Sequence, residues 1–105
     1  MAVKKQFKSF EDLLAGAEVP VLVDFYATWC GPCQMMAPIL EQVGAALHDK
    51  LMVVKIDTDK YPDIASQYAI EALPTLVLFK DGQPAQRFEG LLVAEQLIPQ
   101  VQALL

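Results

Sequence analysis

Two cysteines, one tryptophan and one histidine in 105 residues leave little material for a disulfide scaffold or a metal centre. A tetrahedral zinc site wants four ligands, and Cys30, Cys33 and the remote His48 do not supply them, so metal binding would need a second chain. Basic residues are scarce too. Eight Lys and Arg stand against 13 Asp and Glu, a net charge of −5 that disfavours nucleic acid and anionic membrane surfaces and favours partners with basic docking faces. No apolar run approaches the roughly 18 residues of a membrane span, and the opening residues are not followed by the hydrophobic stretch of a secretory signal. A soluble, reducing compartment is therefore expected. There a Cys-x-x-Cys pair is more often catalytic or metal-binding than a permanent staple.

Repeats, low-complexity tracts and linkers are also lacking, and a hydrophobic content of 54% suffices for one core, so a single domain over residues 1–105 is expected. Residues 3–7 suit a short edge strand. Ser9 with Asp12 resembles a capping box opening a short helix that Gly16 stops. Residues 21–27 are too continuously apolar for a strand with one wet face, and only Asp24 interrupts them. Met36, Ile39, Leu40, Val43 and Leu47 recur at helical spacing, with a kink expected at Pro38. Residues 51–57 read as a second buried strand, parallel to the first through that helix, and Pro62 opens a short helix. Residues 75–80 and 85–89 read as a hairpin turning at Asp81-Gly82. In the last helix, residues 94–104, Val93 is a poor cap and Pro99 predicts a bend or a late start. The sum is an α/β fold, a mixed sheet with helices on both faces.

The chemistry gathers at Trp29-Cys30-Gly31-Pro32-Cys33, a dithiol between a strand and a helix. The thiolate is the reactive form of cysteine, and a helix N-terminus favours negative sulfur. Cys30 sits at that end with access to solvent, and Cys33 lies one turn further in and more covered. Cys30 is thus the attacking thiolate and Cys33 the resolving thiol. Gly31 permits the tight turn, and Pro32 suits a first helical turn. A structural staple, a zinc site and an iron-sulfur cluster bridging two chains are the competing readings of the pair.

Asp24, a carboxylate in an apolar strand, should have a raised pKa and a polar neighbour, for which Lys55 on the adjacent strand is the candidate. It is either half of a buried ion pair or the proton acceptor for Cys33. Trp29 is packing or part of a docking surface, and Pro74, after Leu73, is a turn proline of either isomer. His48 receives no catalytic role.

Residues 23–33 (VDFYATWCGPC), Leu73-Pro74-Thr75 and Phe79-Lys80-Asp81-Gly82 together resemble thioredoxin, in order and over essentially the whole chain. Residues 55–62, 71–75 and 87–90 look like the y-type thioredoxins of cyanobacteria and chloroplasts. The resemblance implies the thioredoxin fold, a central mixed five-stranded sheet flanked by four helices, with a cis bond before Pro74. It implies a disulfide reductase without a bound cofactor, a monomer with Asp24 and Lys55 as buried acid and lysine partner. Targets would dock against Trp29, Gly31, Pro32, Leu73, Pro74, Glu89 and Gly90. The implied partners are disulfide-bearing proteins such as peroxiredoxins and methionine sulfoxide reductases, and a ferredoxin- or NADPH-dependent thioredoxin reductase.

Four residues depart from the common pattern. Gln34 stands where a basic residue is usual, and Glu89 replaces an apolar docking residue. Both disfavour acidic targets and oppose thiolate formation at Cys30. Tyr26 replaces a common tryptophan, a change expected to alter packing only, and Pro99 interrupts a helix that is normally continuous. With no transit peptide in view, a cyanobacterial cytoplasm is expected, or a chloroplast stroma for a mature plastid form. A docking subunit whose redox cycling is incidental and a disulfide-forming oxidant are the alternatives. The first has no use for Cys30, Cys33 and Asp24, and the second is disfavoured by Gly-Pro between the cysteines.

Overall fold

β1 (Val21–Tyr26) is the strand about which the chain is built, and alternation along it separates two cores. A computed structural model describes residues 8–105. Val21, Val23 and Phe25 point to one face of the sheet, where they meet Phe10 and Leu14 of α1 (Phe10–Gly16) and the flank of α3 (Pro62–Gln67). Leu22 points to the other, against Met36, Leu40 and Val43 of α2 (Gly31–Ala46) and Leu97 and Val101 of α4 (Ala94–Gln102). Both faces of β1 are dry, which explains its continuous apolar run.

β2 (Met52–Asp57) pairs parallel with β1, in register from Val21↔Met52 to Tyr26↔Asp57. β3 (Thr75–Lys80) lies antiparallel on the other side of β1, and β4 (Gln83–Glu89) antiparallel to β3. The order is β2-β1-β3-β4, so the sheet is mixed and four-stranded among the described residues rather than five-stranded. The fifth expected strand, residues 3–7, lies outside the described residues. β2 is half-buried rather than fully buried, because among the described residues only β1 pairs with it, and Lys55 faces solvent.

The hairpin follows its sequence signal. Asp81 and Gly82 both have positive φ, 52° and 79°, as a two-residue type I′ turn requires, and Lys80 pairs with Gln83. The return strand starts two residues earlier than expected and includes Pro84, tolerated on an edge strand where the register shifts between Leu78 and Phe79. Ser9 caps α1 as expected, its Oγ accepting from the Asp12 N–H at 3.1 Å. α4 shows no late start. It begins at Ala94 and runs through Pro99, the Val93 carbonyl accepting from Gln96 and Leu97 at 3.0 Å each. His48 lies beyond α2, paired with Asp49 at 3.1 Å on the surface.

Candidate active site

β1 ends at Tyr26, and the chain crosses Ala27 to Trp29 before entering α2, so both cysteines are placed at the C-terminal edge of the central strand. Cys30 and Cys33 are joined as a disulfide, their Cα atoms 5.3 Å apart. Cys30 is the N-cap of α2, in an extended conformation (φ −89°, ψ 111°), with Gly31 and Pro32 as the first helical residues. Its sulfur fills the role of a capping oxygen, accepting from the Cys33 N–H at 3.2 Å. A helix N-terminus carries partial positive charge from unpaired amides, so negative charge on Cys30 is favoured once the bond opens.

The expected difference in coverage is absent, since Cys30 is 5% exposed and Cys33 4%. The two differ in what they face. Cys30 lines an open cavity of about 420 Å³, whereas Cys33 is not part of its lining, although both pack with Ala27. Trp29, Gly31 and Pro32 continue one wall of the cavity. Thr58, Ile70, Glu71 and Leu73 complete its lining.

Trp29 is 71% exposed, too open for a packing residue, and its indole N–H donates to Asp59 Oδ2 at 2.8 Å. Asp59 is itself set by a turn in which Asp57 Oδ1 accepts from the Asp59 N–H at 2.9 Å. The bond before Pro74 is cis, and Gly90, at φ 84°, donates its N–H to the Pro74 carbonyl at 2.9 Å. Leu73 reaches the cavity. Pro74, Glu89 and Gly90, expected beside it, are not part of its lining.

Both residues that depart from the common charge pattern make local contacts. Glu89 does not present a free negative charge, because Arg87 Nε donates to its carboxylate at 3.1 Å. Gln34 turns its amide to the Thr28 carbonyl at 3.3 Å, bracing the loop before the cysteines.

Asp24 is wholly buried on the face of β1 that α2 covers, opposite Leu76 of β3. Neither carboxylate oxygen has a hydrogen-bond partner among the described residues. Burial pushes its pKa up to about 6, and the charge of Lys55 works in the opposite direction. Lys55 is its neighbour, as expected, but makes no hydrogen bond to it. The two residues are register partners, but Lys55 is exposed and its ammonium lies over the Tyr26 ring, 5.2 Å from the centroid. Tyr26 is therefore more than a packing substitution, since it seats this cation.

Thr58, Ile70 and Glu71 were not singled out from the sequence. For Thr58 a signal existed: the ends of parallel strands lie together, and it follows β2 as Ala27 follows β1. Its N–H and hydroxyl both donate to the Tyr26 carbonyl, at 2.8 and 3.2 Å. Among the described residues there is no cluster of three or more His, Cys, Asp or Glu placed to hold a metal, and no helix long and apolar enough to cross a membrane.

Residues 1–103 match the thioredoxin family profile. The chain belongs to the thioredoxin family. Its Cys30–Cys33 disulfide is the redox couple of a thiol-disulfide oxidoreductase. A thioredoxin-like protein of Synechocystis sp. is 71% identical over 102 residues, which cover 97% of each chain. Chloroplastic thioredoxin Y1 of Arabidopsis thaliana is 63% identical over 101 residues, and chloroplastic thioredoxin Y of Oryza sativa 61% over 104. The match spans 59% and 62% of those two plant proteins. These relatives bear out the resemblance to y-type thioredoxins of cyanobacteria and chloroplasts, and the thioredoxin pair works as a protein disulfide reductase.

Proposed function

We propose that in this thioredoxin Cys30 attacks and Cys33 resolves, the reading supported by one observation, that Cys30 lines the open cavity and Cys33 does not. The Cys30 thiolate displaces one sulfur of a target disulfide, forming a mixed disulfide and releasing a target thiolate that takes a proton from water. The Cys33 thiol then gives up its proton and attacks Cys30 Sγ. The second target sulfur leaves as a thiolate, which takes up a proton from water, and the Cys30–Cys33 bond forms. Two electrons pass to the target. Asp24 accepts the Cys33 proton, directly or through water, a role suited to a buried carboxylate whose pKa lies near neutrality.

Trp29, Gly31, Pro32 and Leu73 meet the target, with Pro74, Glu89 and Gly90 shaping the loops behind them, and Lys55 tunes Asp24 through its charge. The targets are disulfide-bearing proteins such as peroxiredoxins and methionine sulfoxide reductases. A ferredoxin- or NADPH-dependent thioredoxin reductase restores the dithiol. Residues 1–105 act as one domain and as a monomer, in a cyanobacterial cytoplasm or, for a mature plastid form, the chloroplast stroma. The test of the central claim is turnover of a model protein disulfide with dithiothreitol as reductant. Cys30→Ser should abolish it, and a Cys30→Ser variant that turned over normally would sink the mechanism.

A further inference from the structure

Part of the cavity lining, Ile70 and Glu71, is delivered by the turn that ends α3. Ala69 there has a φ of 52°, a left-handed conformation usually left to glycine. Its N–H donates to the Ser66 carbonyl at 3.1 Å and the Ile70 N–H to the Ala65 carbonyl at 2.9 Å, the paired bonds of a Schellman closure. Arg87 reaches across from β4 and holds this turn. Nη1 donates to the Tyr68 carbonyl at 2.7 Å and Nη2 to the Ala69 carbonyl at 2.6 Å. A planar guanidinium can span two successive carbonyls while its Nε engages Glu89, which a lysine cannot do. Ile70 and Glu71 therefore leave α3 in one direction, into the cavity.

Glu71 is the one charged side chain among the described residues lining that cavity, and it is exposed. Asp59, holding the Trp29 indole, adds negative charge beside it. The neighbouring cations are engaged elsewhere: Lys55 over Tyr26, Lys60 over Tyr61 at 5.8 Å, and Arg87 on its carbonyls and Glu89. The opening over Cys30 is thus negative, with no cation lining it among the described residues.

We infer that Glu71 selects target disulfides carrying a basic side chain beside the reacting cysteine, with Arg87 as the positioning residue that aims it. The occupant is an extended segment of a target protein, and the inference rests on the disulfide-reductase reading. Its basic side chain pairs with Glu71 while its disulfide meets Cys30. The contact is exposed, so it acts as a modest, salt-sensitive preference rather than an absolute requirement.

The experiment measures second-order rate constants of the reduced protein with three disulfide-linked peptides, identical except for Lys, Ala or Glu next to the reacting cysteine. At low ionic strength the Lys peptide should react about 3- to 10-fold faster than the Glu peptide. That ratio should approach one near 1 M salt, where the screening length falls to about 3 Å. Glu71→Gln should lower the ratio, and Glu71→Lys should invert it. Arg87→Ala should lower it toward the Glu71→Gln value, and Arg87→Lys should fail to restore it. An unchanged ratio in Glu71→Lys overturns the inference, and an unchanged ratio in Arg87→Ala overturns the positioning role. Peptide reduction that persisted in Cys30→Ser would instead overturn the underlying reductase reading.

Discussion

Asp24 and Lys55 face each other across the parallel pairing of β1 and β2, yet the ammonium rests over Tyr26 and the carboxylate stays buried without a hydrogen-bond partner. The acid is thereby kept close enough to a positive charge to feel it and not close enough to be neutralised by it. Its proton affinity is set mainly by burial.

That placement costs stability at neutral pH. The folded-state pKa of about 6 lies above the ordinary 3.8, so the native state holds the Asp24 proton more tightly than the unfolded chain does. Its contribution is fully present below about pH 4 and is lost as pH rises through about 6. Asp24→Asn should remove that slope and stabilise the oxidised protein at pH 8 by an amount on the order of 3 kcal/mol, with little difference from the parent near pH 4. Urea unfolding at the two pH values measures this. The same substitution should slow resolution of the mixed disulfide more than the initial attack, and equal effects on both steps would leave Asp24 a structural residue.

Removing the opposing charge moves the titration one way only. Lys55→Met should raise the Asp24 pKa further above about 6, since Lys55 is the influence that lowers it. Carboxyl carbon chemical shifts followed against pH give the midpoint, and a downward movement would contradict the arrangement described.

The order of the two thiols is open to trapping. Cys33→Ser should accumulate a mixed disulfide between Cys30 and its target, detectable by non-reducing electrophoresis, whereas Cys30→Ser should accumulate none. Trapping by Cys30→Ser alone would reverse the assignment.

Ala69 offers a test that leaves the chemistry aside. An alanine at φ 52° carries strain that glycine does not, so Ala69→Gly should stabilise the fold by roughly 1 kcal/mol, visible as a higher Tm. A lower Tm would mean that the Arg87 clamp and the two closing bonds already absorb that strain.

What could be read from the chain was local in kind. The dithiol at a strand-helix junction, the buried acid in β1 and the Asp81-Gly82 turn are each carried by adjacent residues with one physical demand. The capping of α1 by Ser9 and the stripe from Met36 to Leu47 belong to the same class. The parts that escaped depend on residues far apart in sequence. Nothing near Arg87 announces that its guanidinium ends on the carbonyls of Tyr68 and Ala69, or that Glu89 would be drawn into that contact. Glu71 lines the cavity from the residues that follow that turn. Lys55 looked buried because its neighbours Val54 and Ile56 are apolar, but β2 is paired on one side among the described residues and its lysine reaches a ring instead of a carboxylate. The two cysteines looked unequal in depth, and the fold makes them unequal in outlook.

The capping of α2 by Cys30 has a consequence for the opening of the disulfide. The amide that meets its sulfur belongs to Cys33 and is set by the first turn of the helix rather than by the disulfide alone. The solvating dipole for the new anion is thus present before the anion exists. A couple built this way has the start of its helix organised around Cys30 before any electron arrives.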